Sequence, residues 1–323
     1  MTNSGDIALW LENHDDLLIL THMHPDGDAL GSALTLCLML ELLGKRAAVC
    51  CQDGCPDYLT VLPSRDRLHL PENLPFEPKA LVCVDLSVAD RLGRAAFLLE
   101  KGLPVCCVDH HEQPTLEAEI MMARPEAAAS GELIDEIRRA LHVPLTRDMA
   151  LCLYVAISTD TGNFAFSCTT PNALRTVAEC IETGIDIDEM NYELFRKRSK
   201  PRTMLLGRAL TGMSFHCGGQ IALMTLRAAD FAACGAGMAD TEGVVNFGVN
   251  AEGILAAILA VEQGDSVKFS LRSRGAISVA SLARPLGGGG HERAAGLTLK
   301  GDFDACVERV LIAAKNAVEA LGR

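Results

Sequence analysis

Short apolar runs alternate with longer amphipathic stretches in the first half of the chain. A short, continuous apolar run between turn residues is typical of a strand that is buried on both faces. Four such runs, at residues 17–21, 47–51, 80–84 and 104–108, are predicted strands. Because helical spacing separates or follows them, the pattern predicts an α/β fold, a parallel sheet with helices on both faces.

Five helices are predicted from apolar positions that recur at helical spacing. They span residues 29–43, 131–141, 147–157, 171–182 and 188–195. Gly44 follows the first helix as a C-terminal glycine, and Asp188 is predicted to be the N-cap of the last one.

A change in composition separates the two halves of the chain. Residues 196–202 contain five Lys or Arg residues. They are predicted to belong to a linker, 194–214, between a first domain, 1–193, and a second domain, 215–323. The basic segment is either a solvated hinge or a patch facing a cleft between the domains, and the sequence does not choose between them.

The second half contains three further predicted strands, at 220–226, 253–262 and 266–273, with a short turn between the last two. A closing helix is predicted over 302–321. This pattern predicts a smaller α/β domain whose sheet is mostly antiparallel.

The chain is acidic, with a formal net charge of −13 at pH 7. A protein that holds long duplex DNA through its phosphates normally has a basic face. We therefore expect no long duplex DNA as a partner. Any nucleic-acid substrate is expected to be short and to be held at one local site.

The chain contains thirteen cysteines, and their pattern indicates whether the protein folds in a reducing or an oxidising compartment. No Cys-x-x-Cys pair occurs and no secretory leader is seen, so the thiols are expected to be reduced and mostly buried, with structural zinc as a less favoured alternative. No apolar run reaches the ~18 residues of a membrane span. The expected location is the cytoplasm, without a membrane partner.

Acidic and imidazole side chains follow three predicted strands and end one predicted helix. In open parallel sheets, ligands bind beyond the carboxyl ends of the strands. These side chains are therefore expected to lie together at the carboxyl edge of the predicted sheet. Carboxylates packed this closely repel one another unless cations neutralise them, and imidazole with carboxylates suits Mn²⁺ or a similar divalent ion. The candidate residues are His22, Asp26, Asp28, Asp85, Asp109, His110, His111 and Asp160.

Each of these groups has a simpler interpretation when it is taken alone. An aspartate after a strand is more often a cap or turn residue, so Asp85 alone is a weak signal. Taken alone, Asp109 is explained equally well as a residue that merely orients a neighbouring side chain. His24, beside Pro25, is treated as incidental. The convergence of four groups favours a metal site.

A run of four glycines, 287–290, precedes His291 in the second half. Consecutive glycines allow backbone N–H groups to approach a phosphate, and His291 adds a donor. Arg272, on a predicted strand, can hold a phosphate through two parallel hydrogen bonds. The alternative is a flexible turn, and the glycine run alone is a weak signal.

The order of these motifs resembles that of the DHH phosphoesterase superfamily, which includes RecJ-type exonucleases and the manganese inorganic pyrophosphatases. The matching segments of the first half are His-x-x-x-Asp-x-Asp from His22, the strand-end Asp85, Asp-His-His at 109–111 and Thr-Asp-Thr-Gly at 159–162. The second half, with Arg272-Ser273 and the segment 287–296, is similar to the DHH-associated domain of the NrnA type.

This resemblance implies two bound divalent metal ions, Mn²⁺ or alternatively Mg²⁺. The ligands implied for the first ion are His22, Asp26 and Asp85. The ligands implied for the second ion are Asp28, Asp85, His110 and Asp160, with Asp85 shared by both ions.

The same resemblance implies catalytic roles for two residues of the Asp-His-His motif. Asp109 would orient His110 or a neighbour from outside the ligand set. His111 would contact the scissile phosphate or help the leaving oxygen.

Members of the NrnA type are oligoribonucleases that also dephosphorylate 3′-phosphoadenosine 5′-phosphate (pAp). The implied activity is hydrolysis of short oligoribonucleotides, such as nanoRNA and dinucleotides, to mononucleotides, or removal of the 3′-phosphate of pAp, or both. A homodimer is expected by family analogy alone. The residues implied to bind the substrate in the second domain are Arg272, Ser273, Gly288, Gly289, Gly290 and His291.

Other functions stay open at this point. One is a phosphodiesterase for linear or cyclic dinucleotides, because groups with nearly the same motifs act on them. Another is a catalytically inactive nucleotide-binding protein, although all the candidate ligands are present. A dinucleotide-dependent oxidoreductase is disfavoured because the Gly-x-Gly-x-x-Gly sequence is missing after the first predicted strand.

Overall fold

Six parallel strands form the sheet of the first of two units in the chain. The structure is a computed structural model that describes residues 2–321. Backbone contacts divide the chain into Met1–Lys197 and Arg198–Arg323. The division falls inside the basic segment identified from composition.

The segment expected to be a linker contains a helix, α7 (Lys200–Thr211). Leu205 and Ala209, four residues apart on one face of this helix, are buried in the core of the second unit. Their apolar spacing outweighs the basic residues that precede them, so the expectation of a linker over 194–214 is wrong for this part. The assignment of catalysis and substrate binding to separate domains stays a prediction.

The first sheet has the strand order β3-β2-β1-β4-β5-β6, and every neighbouring pair is parallel. The strands are β1 (Leu17–Leu20), β2 (Ala47–Cys50), β3 (Leu68–His69), β4 (Ala80–Val84), β5 (Val105–Asp109) and β6 (Ile120–Ala123). The strand order reverses beside β1, whose neighbours are β2 and β4. Ligands in open parallel sheets bind at such a reversal, beyond the carboxyl ends of the strands.

Six α-helices accompany this sheet, and all the predicted ones are present with small shifts at their ends. They are α1 (Ser4–Glu12), α2 (Gly27–Leu42), α3 (Ser130–Ala140), α4 (Arg147–Asp160), α5 (Pro171–Glu182) and α6 (Ile187–Asn191). Gly44 has a φ of +76° just after the first long helix, as predicted. The predicted cap of α6 is wrong, because Asp186 rather than Asp188 accepts the hydrogen bond from the Glu189 amide, at 3.1 Å.

The two faces of the first sheet are covered by different kinds of structure. Helices α1 to α5 share one apolar core with one face. The other face packs against 3₁₀ turns over Ala89–Lys101, which contribute Leu92, Ala95 and Leu98. The sheet is therefore buried on both sides, as its continuous apolar strands predict, although no α-helix among the described residues lies in the second layer.

Helices α2, α3 and α4 approach one another closely. A Cβ atom at Gly31 of α2 would lie 2.4 Å from the carbonyl oxygen of Cys152 in α4. A Cβ atom at Gly131 of α3 would lie 2.7 Å from the Cβ of Ala156. The small residues thus let three backbones meet at the edge of the sheet where the candidate site residues are expected.

The second unit also contains a six-stranded sheet, with the order β11-β12-β10-β9-β8-β7. Its strands are β7 (Ser214–His216), β8 (Ile221–Leu226), β9 (Ala256–Gln263), β10 (Ser266–Ser273), β11 (Gly289–His291) and β12 (Ala294–Lys300). Its remaining helices are α8 (Ala228–Cys234), α9 (Val244–Val249), α10 (Val279–Ala283) and α11 (Phe303–Leu321). Only the pair β8 and β9 is parallel, so the prediction of a mostly antiparallel sheet is confirmed for the described strands.

Helices cover this second sheet unequally. Helices α10 and α11 pack on one face. Helices α7 and α9 pack on the other face, over β8 and β9. The same face of β10, β12 and β11 carries partly or fully exposed polar and small residues. We call this surface the polar face.

All thirteen cysteines have free thiols, and nine of them are buried. Burial raises the pKa of the Cys37 thiol to about 12, so the reactive thiolate form is suppressed there. These thiols pack as small apolar groups, as expected. No helix within residues 2–321 is long and apolar enough to cross a membrane.

Candidate active site

All eight candidate residues of the first unit lie at the carboxyl edge of its sheet. His22 follows β1, Asp85 follows β4, and Asp109 is the last residue of β5. Asp160 is the last residue of α4, which packs against α2. Four stretches that are far apart in sequence therefore meet at one place.

Asp85 lies at the centre of the cluster, and its two oxygens face different partners. Its Oδ2 atom is 3.3 Å from Nε2 of His22. Its Oδ1 atom is 3.6 Å from Nε2 of His110 and 3.5 Å from Nδ1 of His111. Asp85 is 1% exposed and has a φ of +57°, in the left-handed region that few residues other than glycine adopt. The backbone turns sharply here, directly after β4.

Three groups of side chains in this cluster are close enough to hold a metal ion. Within each group the donor atoms all lie within 4.8 Å of one another. Two donors bound at right angles, each about 2.1 Å from a cation, would be about 3 Å apart, so small movements suffice to close each group. The groups are His22 with Asp26 and Asp85, Asp28 with His110 and Asp160, and Asp85 with His110 and His111.

Two imidazoles are held with one nitrogen free for a cation. Nδ1 of His22 donates to the carbonyl oxygen of Met23 at 2.8 Å, and Nδ1 of His110 donates to that of Ala127 at 3.3 Å. A carbonyl only accepts, so each Nε2 atom keeps its lone pair in the neutral ring. Nε2 of His22 is buried and lies 3.3 Å from Oδ2 of Asp85, but it forms no hydrogen bond within residues 2–321. Such an atom fits a metal ligand.

Asp28 is held by the start of helix α3. The backbone amides of Ser130 and Gly131 donate to its two oxygens at 2.6 and 2.9 Å, and the Ser32 hydroxyl donates at 2.8 Å. Burial nevertheless raises the pKa of Asp28 well above its usual range, and the negative charges of Asp85 and Asp160 raise it further. A cation beside Asp28 would favour its ionised form, so metal binding there would compete with its proton.

The pKa of Asp160 is also raised by burial and by neighbouring carboxylates. Burial raises its pKa to about 6, and the charges of Asp85 and Asp26 add to this, while His110 opposes it. Nε2 of His110 lies 3.4 Å from Oδ2 of Asp160. Asp28 and Asp160 therefore keep their protons to a higher pH than isolated aspartates would.

Asp109 orients His111 and lies in none of the three groups. Its Oδ1 atom accepts from Nδ1 of His111 at 2.8 Å and from the backbone amides of His110 and His111 at 2.8 and 3.2 Å. Burial would raise the pKa of Asp109, but the hydrogen bonds from His111 and the charge of its ring outweigh this and lower it. The same contact raises the pKa of His111. Asp109 therefore favours a charged, oriented His111.

Two residues near the cluster were not found from the sequence. The hydroxyl of Ser130 donates to Oδ1 of Asp85 at 3.0 Å. The positive charge of Arg91 acts on His22 and His111, where it opposes the rise in their pKa values. The carbonyl of Arg91 also accepts from the Met23 amide at 2.7 Å. The small residues before α3 could have pointed to Ser130, whereas nothing in the sequence distinguishes Arg91 from other arginines.

The predicted substrate-binding residues of the second unit lie on two faces of its sheet. Arg272 is paired with Ala294, and Ala294 with His291, so these side chains stand side by side on the polar face. Ser273 is next to Arg272 on the same strand and therefore points to the opposite face. It is buried, and its hydroxyl has no hydrogen-bond partner within residues 2–321. A ligand on the polar face would meet Arg272 and His291 without Ser273.

The glycine run has a packing reason as well as the expected role in phosphate binding. A Cβ atom at Gly288 would lie 2.4 Å from the carbonyl oxygen of Gly296, and one at Gly290 would lie 2.5 Å from that of Ala294. Nothing lies within 4 Å of a Cβ atom at Gly289, which is exposed. The close approach of β12 thus excludes larger residues at two positions, and binding of a phosphate by this run stays a prediction.

Comparison with known proteins agrees with the geometry of the site. Residues 16–157 match the DHH family, N-terminal domain, and residues 231–320 match the DHHA1 domain. The chain belongs to the DHH family and is a metal-dependent phosphoesterase.

A bifunctional oligoribonuclease and PAP phosphatase, NrnA of Thermus thermophilus, is 35% identical over 314 residues, which are 95% of this chain and 91% of that protein. The crystal structure of an exopolyphosphatase-related protein from Bacteroides fragilis has a TM-score of 0.81 at 26% identity, with 98% of this chain and 96% of that chain covered. The exonuclease RecJ bound to manganese has a TM-score of 0.53 at 17% identity, with 97% and 95% covered, and shows the fold alone.

Proposed function

We propose that this phosphoesterase hydrolyses short oligoribonucleotides to mononucleotides and removes the 3′-phosphate of pAp, with two divalent cations, Mn²⁺ rather than Mg²⁺. The observation that carries the proposal is the placement of Asp85, whose two oxygens face two different groups of potential ligands. The similarity to NrnA of Thermus thermophilus over nearly the whole chain supports this substrate class.

The donor set fits the two cations. His22, Asp26 and Asp85 would hold one, and Asp28, Asp85, His110 and Asp160 the other. When bound, the two cations would lower the pKa of a water molecule and neutralise negative charge on the phosphoryl oxygens. A cation in the first group would give the buried Nε2 of His22 a partner, and a cation in the second group would offset the burial and repulsion that raise the pKa of Asp28.

His111 is the proposed proton donor to the leaving oxygen. Its Nδ1–H is taken by Asp109, and the resulting rise in its pKa favours the imidazolium. The second ring N–H of this imidazolium is then available to a phosphate oxygen or to the leaving group. His111 is half-exposed, so a substrate can reach it.

Arg91 is a further proposed contact for the phosphate. Its guanidinium forms no hydrogen bond or ion pair with any other part of the described chain, and its charge already reaches His22 and His111. A guanidinium without a carboxylate partner at a phosphoesterase site is suited to a phosphoryl oxygen.

The polar face of the second unit is proposed to bind the non-reacting end of the substrate. Arg272 and His291 offer hydrogen-bond donors there, and Gly289 leaves its backbone open to a close approach. The acidic net charge of the chain supports a preference for short substrates over long nucleic acid.

Phosphate release from pAp and cleavage of a dinucleotide, a pentanucleotide and a long RNA test the proposal. The purified protein is assayed with Mn²⁺ and with Mg²⁺, beside the variants Asp85→Asn and His110→Ala. Each variant is expected to lose at least about 10²-fold in kcat, on the scale of removing one key electrostatic contact. Asp148→Asn, at the exposed start of α4, is the control and should keep full activity.

Two results of this assay would contradict the proposal. Full activity in both site variants would mean that the cluster is not the active site. Equal rates on the dinucleotide and the long RNA would remove the preference for short substrates. A linear and a cyclic dinucleotide, assayed in parallel, distinguish a dedicated dinucleotide phosphodiesterase, which would leave pAp intact.

A further inference from the structure

We propose that the second unit contains a separate pocket for one nucleoside monophosphate, between helices α7 and α9. The pocket is formed by residues of the second unit alone and includes none of the proposed substrate residues of the polar face. The proposal rests on the proposed function in one respect, which is that nucleotides are the ligands the protein meets.

The pocket has a volume of about 270 Å³. Small-molecule sites commonly measure roughly 300–1,000 Å³, so this volume suits a single nucleotide better than a longer ligand. The side chains that carry its chemistry are Arg198, Arg202, Asn246, Phe247 and Asn250.

The two arginines lack acidic partners. Neither Arg198 nor Arg202 forms an ion pair within the described chain, and Arg202 uses one N–H to reach the carbonyl oxygen of Glu242 at 2.9 Å. By contrast, Arg196 pairs with Asp188, and Lys197 pairs with Glu193. The basic segment thus contains two paired residues, Lys200 without an ion pair among the described residues, and two unpaired guanidiniums that line a pocket.

Both guanidiniums line one pocket, in a chain whose net charge is −13. Glu242 also lines the pocket, but its carboxylate is not within 4 Å of a guanidinium nitrogen of Arg198 or Arg202. An anion such as a phosphate would supply the missing partner and could be held by two parallel hydrogen bonds.

The remaining side chains suit a base. Phe247 is 40% exposed, and the guanidinium carbon of Arg198 lies 5.7 Å from the centre of its ring. Aromatic rings and guanidinium planes are the usual stacking surfaces for unpaired bases. Asn246 and Asn250 bring amide groups that can both donate to and accept from a base edge. A plain phosphate site would use neither the ring nor the amides.

Two sources would supply this chemistry. One is a free mononucleotide, the product of the proposed reaction. The other is a nucleotide unit of a longer oligoribonucleotide that is bound elsewhere on the protein. The proposal concerns the shared unit, a base with one phosphate, and the experiment separates the sources.

Binding of AMP and of the fluorescent 2-aminopurine riboside 5′-monophosphate to the full-length protein tests the pocket. EDTA is present, and all proteins carry Arg272→Ala to weaken binding at the polar face. Phe247→Ala and Arg202→Gln should each raise Kd about tenfold or more, since stacking and phosphate contacts are lost. Arg208→Gln, on the same helix, and Phe215→Ala, another exposed aromatic residue, are matched controls that should bind normally.

The proposal is overturned if all four variants bind AMP as tightly as their parent. It is also overturned if inorganic phosphate competes as well as AMP while Phe247→Ala has no effect, because the site would then be a simple anion site. Thermal melting shows which variants are folded, and the exposed Asn246→Ala replaces Phe247→Ala if that variant is not.

Kinetics with Mn²⁺ identify the source of the nucleotide. If the pocket binds a unit of the substrate, Phe247→Ala raises KM for a pentanucleotide and leaves KM for a dinucleotide unchanged. If it binds free product, the same variant relieves inhibition by AMP at every substrate length. Absence of hydrolysis by the unmodified protein would count against the proposed function and would leave the binding result intact.

Discussion

The backbone amide of Ser130 donates a 2.6 Å hydrogen bond to Oδ2 of Asp28, across 102 positions of sequence. This bond joins the start of α3 to the start of α2, and the Ser130 hydroxyl continues to Oδ1 of Asp85. The amides at a helix N-terminus favour a negative charge, so Asp28 can be anionic when a cation is beside it. The packing of α2, α3 and α4 therefore holds the candidate metal ligands in position.

Replacement of Ser130 by alanine is expected to weaken metal binding. The backbone amide that reaches Asp28 remains, but the hydroxyl that orients Asp85 is lost. Loss of a residue that orients a ligand typically costs about 10–100-fold in metal affinity. Titration of the metal-free protein with Mn²⁺ measures the change, and Ser281→Ala, at an exposed position of α10, should bind like the parent. Unchanged affinity in Ser130→Ala would show that Asp85 is held by other contacts.

Asp109→Asn should lower kcat and move the pH profile. The hydrogen bond from His111 to Asp109 is the main cause of the raised pKa of His111. Without the negative charge this pKa falls towards 6.5, so a reaction that needs protonated His111 loses activity at a lower pH than before. We expect a kcat that is about 10–100-fold lower. Profiles of kcat against pH check the shift, with Glu112→Gln as a neighbouring exposed control. A lower kcat with an unmoved profile would contradict the assigned role.

Without metal, the stability of the protein should fall as pH rises from about 5 to about 8. An unfolded Asp160 loses its proton near pH 3.8, whereas the folded one keeps it until about pH 6, so the folded state binds more protons in between. Asp28 acts in the same direction. The raised pKa values of His22 and His111 add stability that is complete below pH 6.5 and is lost above their folded values.

Thermal melting in EDTA at several pH values measures this trend. Asp85→Asn should flatten it, because the charge of Asp85 raises the pKa values of Asp28, Asp160, His22 and His111. Added Mn²⁺ should stabilise the unmodified protein more at pH 8 than at pH 5, since protons no longer compete for the ligands. A metal-free protein that is most stable at pH 8 would refute the description of the cluster.

Two helical glycines should respond in opposite ways to alanine. At Gly31 the added Cβ atom would lie 2.4 Å from a carbonyl oxygen of α4, so Gly31→Ala should reduce the free energy of unfolding by about 1–3 kcal/mol. At Gly207, in α7, the added Cβ atom meets nothing within 4 Å. Gly207→Ala should therefore raise the free energy of unfolding by about 0.5–1 kcal/mol. Urea unfolding measures both, and equal effects would mean that α2 and α4 can move apart without cost.

Arg272→Ala and Ser273→Ala should differ although the residues are adjacent. Arg272 lies on the polar face, and its loss should raise KM for pAp about tenfold or more, the effect of removing one charged hydrogen bond. Ser273 lies on the buried face, and its loss should leave KM nearly unchanged. Steady-state kinetics on pAp compare the two variants. An equal rise in KM for both would show that Ser273 also reaches the substrate.

Much of the first unit could be predicted from local patterns. Its four central strands were located within one or two residues, because continuous apolar runs between turn residues reflect burial on both faces. The edge strand β3 has only two residues and no such run, and β6, although it is an apolar run of four residues, was also missed. In the second unit, the pairing of β11 with β12 was also missed, because glycines carry no hydrophobic pattern.

The order of apolar runs and the spacing of His and Asp residues were sufficient to predict a parallel sheet with a metal site at its carboxyl edge. Those features are local, because each apolar run and each His or Asp motif lies within one short stretch of sequence. Three other features depend on residues that are distant in sequence: the amides of Ser130 and Gly131 on Asp28, the charge of Arg91 near His22, and the placement of His291 on the same face as Arg272. They arise from helix packing, loop contacts and strand register, which form only when the whole chain folds, so no short stretch of sequence contains them.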